Sequence, residues 1–368
     1  MPPGTRRTTP GRWPVAGRPV RVGGSTHRRV CSIMPSDRRT CPLPLAAPAR
    51  YSPWDSGRYE VKVGYVRFGT ELGNGAADRF LCQLDREFPR YRSAKLAARS
   101  EALGKYYGVS GLREPVARAV AELLRQRLCA DYPEWFHRQG PAGPGQTLVC
   151  ALTGETLGFR EDGALERSAE KPVTPGYADA LDALACQVQE DLAVVQCEAG
   201  GADRVAALHA CFPNHWSPRE KLGKSFPMVH QPVPGMERIH RSVPALVRDM
   251  VERGPYVRFA WGLAADRRLN HHPDPPPGRD PLRWRGRRFR PAARPWYLRV
   301  ERQVVWGLPQ VEATLFTIRT YFVPCADLRD DPAQRRRLAA AITSMAPAAL
   351  AYKGLAEARE DLLHWLRG

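Results

Sequence analysis

The chain has 368 residues, 43% hydrophobic and 26% charged, enough for one large domain or two modest ones with their own core. The formal charge of +18 is local: residues 1–50 hold ten arginines against one aspartate, residues 279–294 seven against one, and the rest is nearly balanced. That pattern argues against a domain built to track a phosphate backbone, so nucleic acid is not an expected partner.

The nine cysteines include no C-x-x-C pair, which excludes an obvious disulfide framework, structural zinc site or iron-sulfur site. Reduced, buried thiols are expected, as in a cytoplasmic protein. No run of about 18 apolar residues and no signal-peptide h-region is readable, so no membrane association is expected.

Residues 1–50, rich in Pro, Gly and Arg without hydrophobic period, read as a disordered basic tail; residues 51–368 read as a single domain. Alternation from Tyr59 to Phe68 predicts a strand. Apolar spacing of three and four predicts an N-terminal helical layer across "AADRFLCQLDREFPRYRSAKLAARSEAL" and "LREPVARAVAELLRQRLCADYPEWF", up to about Phe136.

"TLVCAL" and "TLGFR" then predict a hairpin, "YADALDALACQVQEDLAVVQ" a helix running into a strand, and "RVAALHACF" another strand. "RSVPALVRDMVERG" reads as a helix ending at Gly254, followed by the strand "YVRFAWGL". Residues 271–294 read as a loop, its Arg-rich part at 279–294 being either a docking patch for an acidic electron-transfer partner or a solvated insertion. Two strands, "WYLRVERQVVWGLP" and "TLFTIRTYFVP", and two helices close the chain.

Hairpins interrupted by helices, without repeated βαβ units, indicate an α+β domain with an antiparallel sheet. "GNGAAD" lacks the third glycine and the preceding apolar strand of a dinucleotide fingerprint, so the chain itself is not expected to bind a nicotinamide.

The densest cluster of unusual residues is "CFPNHWSPREKLGKSFPMVHQPVPG", Cys211 to Gly235. Ser217, Pro218 and Glu220 have the spacing of a capped helix start, which Gly223 stops. Phe212, Trp216, Phe226 and Met228 are its apolar anchors. His230 precedes prolines 232 and 234, which stiffen the backbone. One imidazole on a stiff platform beside an apolar cluster suits an axial haem ligand; a buried histidine bonded to a carbonyl is the ordinary alternative. His215 and His240 are weaker candidates.

In "TLFTIRTYF", alternation puts Thr317, Arg319 and Tyr321 on one face, and Phe316, Ile318 and Phe322 on the other; in "RVERQ", Arg299, Glu301 and Gln303 share a face. A face carrying Arg, Glu and Tyr is either solvated or a polar pocket wall.

Taken in order, "FPNHWSPREKLGKSFPMVHQPVPG", Arg258 and Trp261 in "VRFAWGL", "LRVERQVVWGLP" and "LFTIRTYFVP", with "PWDSGRYEVKVG" and "AYKGL", resemble the α subunit of haem-dependent oxidative N-demethylase over residues 51–356. The resemblance implies a PAS-like antiparallel sheet with helices on one face clasping haem b. It implies an oxidoreductase subunit, a monooxygenase that converts dimethylamine to methylamine and formaldehyde with O2. It further implies electrons from NADPH through a partner reductase carrying FMN and 2Fe-2S, and a tetrahydrofolate-binding partner for the formaldehyde.

On that resemblance His230 would ligate the iron, and Arg319 and Tyr321 would donate on the oxygen-binding side. Glu301 would hold the amine cation, with Trp261 and Phe259 desolvating the pair. Lys221 and Arg258 would neutralise the propionates, or be ordinary surface charges. An Asn is expected before Trp261, where this chain has Ala260. A haem PAS sensor without turnover and a basic binding module without haem are the competing readings.

Overall fold

The computed structural model describes residues 45–140, 146–169, 173–198, 201–285, 289, 296–328 and 330–368, all within one compact unit. Nearly all of the basic tail, residues 1–44, and half of the Arg-rich stretch, 286–288 and 290–294, lie outside the described residues.

In chain order the elements begin with β1 (Val66–Arg67), α1 (Phe88–Tyr106), β2 (Tyr107–Val109), α2 (Glu114–Asp131), β3 (Phe136–Gln139) and β4 (Thr147–Cys150). They continue through β5 (Glu155–Phe159), β6 (Leu165–Ala169), α3 (Ala180–Ala185), β7 (Asp191–Cys197), β8 (Asp203–His209), α4 (Phe226–His230) and α5 (Glu237–His240). The last group is α6 (Val243–Arg253), β9 (Tyr256–Ala264), α7 (Pro281–Arg285), β10 (Tyr297–Leu308), β11 (Ala313–Pro324), α8 (Pro332–Thr343), α9 (Pro347–Tyr352) and α10 (Arg359–Arg367).

Seven strands form an antiparallel sheet in the order β1-β9-β10-β11-β7-β8-β2, and β3-β4-β5-β6 form a second. The α+β expectation with a large antiparallel sheet holds. The second sheet is larger than the single hairpin read from the sequence, because Phe136 opens a strand beside β4 and Leu165–Ala169 add another beside β5.

Register sorts the side chains of the large sheet, since cross-strand partners share a face. Trp261, Val300 and Tyr321 are partners in one row, and Phe259, Arg302 and Arg319 in the next. This closed face is buried under α2, α3 and the second sheet at one end and α8 to α10 at the other. The opposite, open face carries Arg258, Gln303 and Ile318 in one row and Ala260, Glu301 and Thr320 in the next.

Helices lie on both faces, not on one. The apolar side of α6, Val243, Val247, Met250 and Val251, covers the open face near Gly307, where a Cβ would stand 2.2 Å from the Val251 carbonyl oxygen. Only glycine permits that approach.

The strand expected over 59–68 reduces to Val66–Arg67, paired with Val257 and Tyr256. Residues 58–65 alternate exposed and half-buried positions but join no ladder.

The expected first helix is split: Gly75–Arg79 form a 3-10 helix, and α-helix begins only at Phe88. Before it, Gln83 and Asp85 send their backbone N–H groups to the side chains of Glu190 and Gln189, and Leu84 to Tyr132, so an extended segment is satisfied without a helix. Part of the expected loop at 271–294 is the short helix α7, with Trp284 Nε1 donating to the His272 carbonyl oxygen and Phe289 buried among the C-terminal helices.

Candidate functional site

The open face of the sheet and the segment laid across it form the candidate site. Pro227 and a Ser225 in extended conformation start α4, and the Phe226 N–H donates to Asp203 Oδ2 at 2.5 Å, tying the helix to β8. Val229 packs with Ala193, Leu208 and Phe316 on the open face. The capping box expected at Ser217 is not made: Ser217 is extended and its hydroxyl caps nothing, and only a single 3-10 turn, Pro218–Glu220, follows. Gly223, at φ +77°, ends that segment as expected.

His230 closes α4, with its Nδ1 2.9 Å from the Phe226 carbonyl oxygen and its ring 4.1 Å from the Phe226 ring. A carbonyl only accepts, so Nδ1 carries the hydrogen and Nε2 keeps its lone pair. Burial first, then the positive charges of Arg258 and Lys221, lower the imidazole's pKa to about 4, despite the carbonyl bond that favours the cation. The ring is therefore neutral at ordinary pH, the form in which imidazole binds a metal.

Around it stand cations. Arg258 is half-buried, its Nε has no partner, and burial lowers its pKa against the pull of Tyr65 and Glu301. Lys221 Nζ donates to the Val229 carbonyl oxygen at 2.7 Å, so its ammonium already caps the end of α4. His240 Nε2 is buried without a partner. His215 instead sits at φ +62°, 5.1 Å from the His271 ring, outside this cluster.

Glu301 faces the same side as Arg258. Arg299 Nε lies 3.3 Å from its Oε1 and Gln303 Nε2 lies 3.1 Å from its Oε2. Arg299 is itself held by the Phe212 carbonyl oxygen at 2.7 Å, which links Glu301 to the start of the 211–235 stretch. Ala260, directly opposite Glu301, leaves a methyl where an amide was expected.

Four expected site residues are elsewhere. Arg319, Tyr321, Trp261 and Phe259 belong to the closed face, away from Glu301, because the registers put odd positions of β9 and β11 against even positions of β10. Arg319 is fully buried, pairing with Asp85 at 2.6 Å and lying 4.1 Å from the Tyr91 ring. Tyr321 donates to Gln83 Oε1. Trp261 packs against Trp54 and Tyr59. These are internal fastenings of the sheet to residues 51–91.

One residue passed over in the sequence belongs at the site's edge. Lys353, within the "AYKGL" block, donates to the Trp261 carbonyl oxygen at 2.6 Å and stands over the Tyr59 ring. Burial lowers its pKa to about 8, partly countered by Glu301. Nothing in helical or strand periodicity marks it; the short block was its only signal.

A second buried cluster, Asp182, Cys186 and His209, brings three potential ligand atoms within 4.8 Å. Arg99 binds both oxygens of Asp182 at 2.8 Å and His209 Nε2 lies 3.1 Å from one of them, so the carboxylate is already neutralised and the cluster reads as a buried ion pair.

Among the described residues no helix is long and apolar enough to cross a membrane. The seven described cysteines are free thiols, raised in pKa chiefly by burial wherever a shift is resolved.

The open-face imidazole, the surrounding cations and the ordered blocks that carry them fall within residues 75–363, which match the family model described as haem-dependent oxidative N-demethylase, alpha subunit-like, and the chain belongs to that family.

Proposed function

We propose that this chain binds haem b through His230 and, as one subunit of a cytoplasmic assembly, oxidatively demethylates a small alkylamine such as dimethylamine. O2 is the oxidant and formaldehyde a product. The electrons come from NADPH through a partner reductase carrying FMN and 2Fe-2S, and a tetrahydrofolate-binding partner takes the formaldehyde. The observation that carries the reading is the neutral His230, its Nδ1–H spent on Phe226 and its Nε2 lone pair available.

The residues present fit a haem. Phe316, Ile318 and Phe322 give the open face half-buried apolar surface, and Arg258 keeps a buried, unpartnered Nε that an anionic propionate would satisfy. Lys221, which spends one of its three hydrogens on the Val229 carbonyl oxygen, would contribute charge and a further N–H. Bound there, haem supplies the iron whose redox change couples electron supply to oxidation of the amine.

The chain's own part is selection and positioning. Glu301 offers the carboxylate for an alkylammonium ion, and Arg299 and Gln303 fix its orientation. The donor role expected of Arg319 and Tyr321 is not carried over to them. A PAS-like arrangement is supported by a sheet in which β7, which opens the β7–β11 run, lies beside β11, which ends it, while α4 to α6 cross from β8 to β9.

A non-catalytic haem sensor is the second reading, favoured by a Glu301 already engaged by Arg299 and Gln303. Titrating the ferric haem protein with dimethylamine and related amines separates the two. A saturable spectral shift, with NADPH-dependent formaldehyde release once the partner reductase is added, supports the enzyme. No shift and no release leaves the sensor, and a purified protein that takes up no haem overturns both.

A further inference from the structure

A cavity of about 320 Å³ opens between α1, the turn at 217–219 and the loop at 272–277, and its lining includes none of His230, Arg258 or Glu301. We infer that it is a binding site for a small oxyanion, a carboxylate or a phosphate, recognised by His272, Arg219 and Lys105.

His272 is 1% exposed, and its Nδ1 accepts the Asp274 backbone N–H at 3.0 Å. The hydrogen of the neutral ring is therefore on Nε2, and that atom is buried without a partner. An unsatisfied buried N–H is destabilising, and a bound acceptor would satisfy it. Burial, then the Lys105 charge, keep the ring below its usual pKa, so it is a neutral donor.

Lys105 and Arg219 also bring donors to this cavity, against one carboxylate they do not engage, that of Asp274, which is largely exposed and 3.8 Å from His272 Nδ1. Lys105 Nζ is 2.5 Å from Glu101 Oε1 and 2.9 Å from the Asp274 carbonyl oxygen, which uses two of its three hydrogens. Arg219 spends Nε on the Gly104 carbonyl oxygen at 2.8 Å and is otherwise exposed. Glu101 is committed on both oxygens, to Lys105 and to the Tyr106 hydroxyl at 2.8 Å. The donors left over, His272 Nε2–H and the outer nitrogens of Arg219, call for oxygen acceptors.

The geometry also gives the ligand a structural role. α1 departs from helical geometry at Ala102, a cavity residue. The two other walls are already cross-tied, with His215 N donating to the His271 carbonyl oxygen and His271 N to that of Pro213. An anion bound by Arg219 and His272 would add a third tie between them and stabilise the segment that continues into α4.

The test is binding by the full chain, read by calorimetry and thermal unfolding, with inorganic phosphate and acetate as probes and chloride at equal ionic strength as control. Saturable heat and a raised Tm with phosphate, acetate or both are expected, the pattern identifying the oxyanion. Arg219→Gln and His272→Phe should each weaken binding about tenfold or more, and His272→Gln, which keeps an N–H donor, should restore part of it.

Stabilisation no greater than chloride's, or binding unchanged in Arg219→Gln, overturns the site. Arg219 is exposed, so this variant remains informative should His272→Phe fail to fold. The readout involves neither haem nor formaldehyde, so its failure leaves the demethylase reading untouched.

Discussion

His230 gives its Nδ1 hydrogen to the carbonyl oxygen of Phe226, 2.9 Å away and one turn back in the same short helix. The helix thus fixes both the tautomer and the ring, and the ring is the group whose loss should be felt by haem alone. His230→Ala is expected to lower haem affinity about a hundredfold or more, beyond the usual cost of losing an outer partner of a ligand. His215→Ala and His240→Ala should keep the Soret band; a normal spectrum in His230→Ala would remove the assignment.

Arg319 and Asp85 form a buried ion pair on the other face of the sheet. Asp85→Ala leaves a guanidinium without its counter-charge, at a cost of about 3–5 kcal/mol in chemical unfolding. The haem spectrum of the remaining folded protein should be unchanged, as should that of Tyr321→Phe. A shifted spectrum in either would return these residues to the site.

Glu301→Gln keeps shape and removes the charge. Amine affinity, measured by spectral titration, should fall about tenfold or more, equivalent to roughly 1.4 kcal/mol. Equal affinity in the variant would release Glu301 from substrate binding.

Lys353 carries a pH signature. Its folded pKa of about 8 is below the free value of 10.5. Between those values the unfolded chain holds the proton that the folded chain has released, so stability rises with pH across about 8 to 10.5. Lys353→Met should abolish that rise, a change on the order of 1 kcal/mol or more, and should be at least as stable as wild type at pH 7. Parallel pH profiles for the two proteins would contradict it.

Gly307→Ala places a methyl group against the Val251 and Met250 carbonyl oxygens, 2.2 and 2.7 Å from the ideal Cβ position. Overpacking against backbone cannot be relieved by a rotamer, so a loss of about 3 kcal/mol, with α6 displaced, is expected in thermal unfolding. An unperturbed Tm would mean that α6 does not lie on the open face as described.

Much of the core framework was legible locally. The run "YVRFAWGL", the pair "WYLRVERQVVWGLP" and "TLFTIRTYFVP", and the helix "RSVPALVRDMVERG" appear within a residue or two of their observed bounds, because each has its own period and its own stop. The 83–85 segment, expected as helix, is none, since its backbone N–H groups go to Glu190, Tyr132 and Gln189, about 50 to 110 residues away.

At the site, alternation within one strand was sufficient to group Arg299 with Glu301 and Gln303, because side-chain direction reverses at every residue. It could not say whether Arg319 and Tyr321 join that group, since a shift of one residue between two strands exchanges every side chain's face. The central strands, the helix before them, the family and His230 as the imidazole to examine are readable along the chain alone. The turning away of Arg319, Tyr321 and Trp261, the place of Lys353 near Glu301 and the unpartnered Nε2 of His272 come from the folded chain alone, because pairing register and long-range packing are set between segments and not within them.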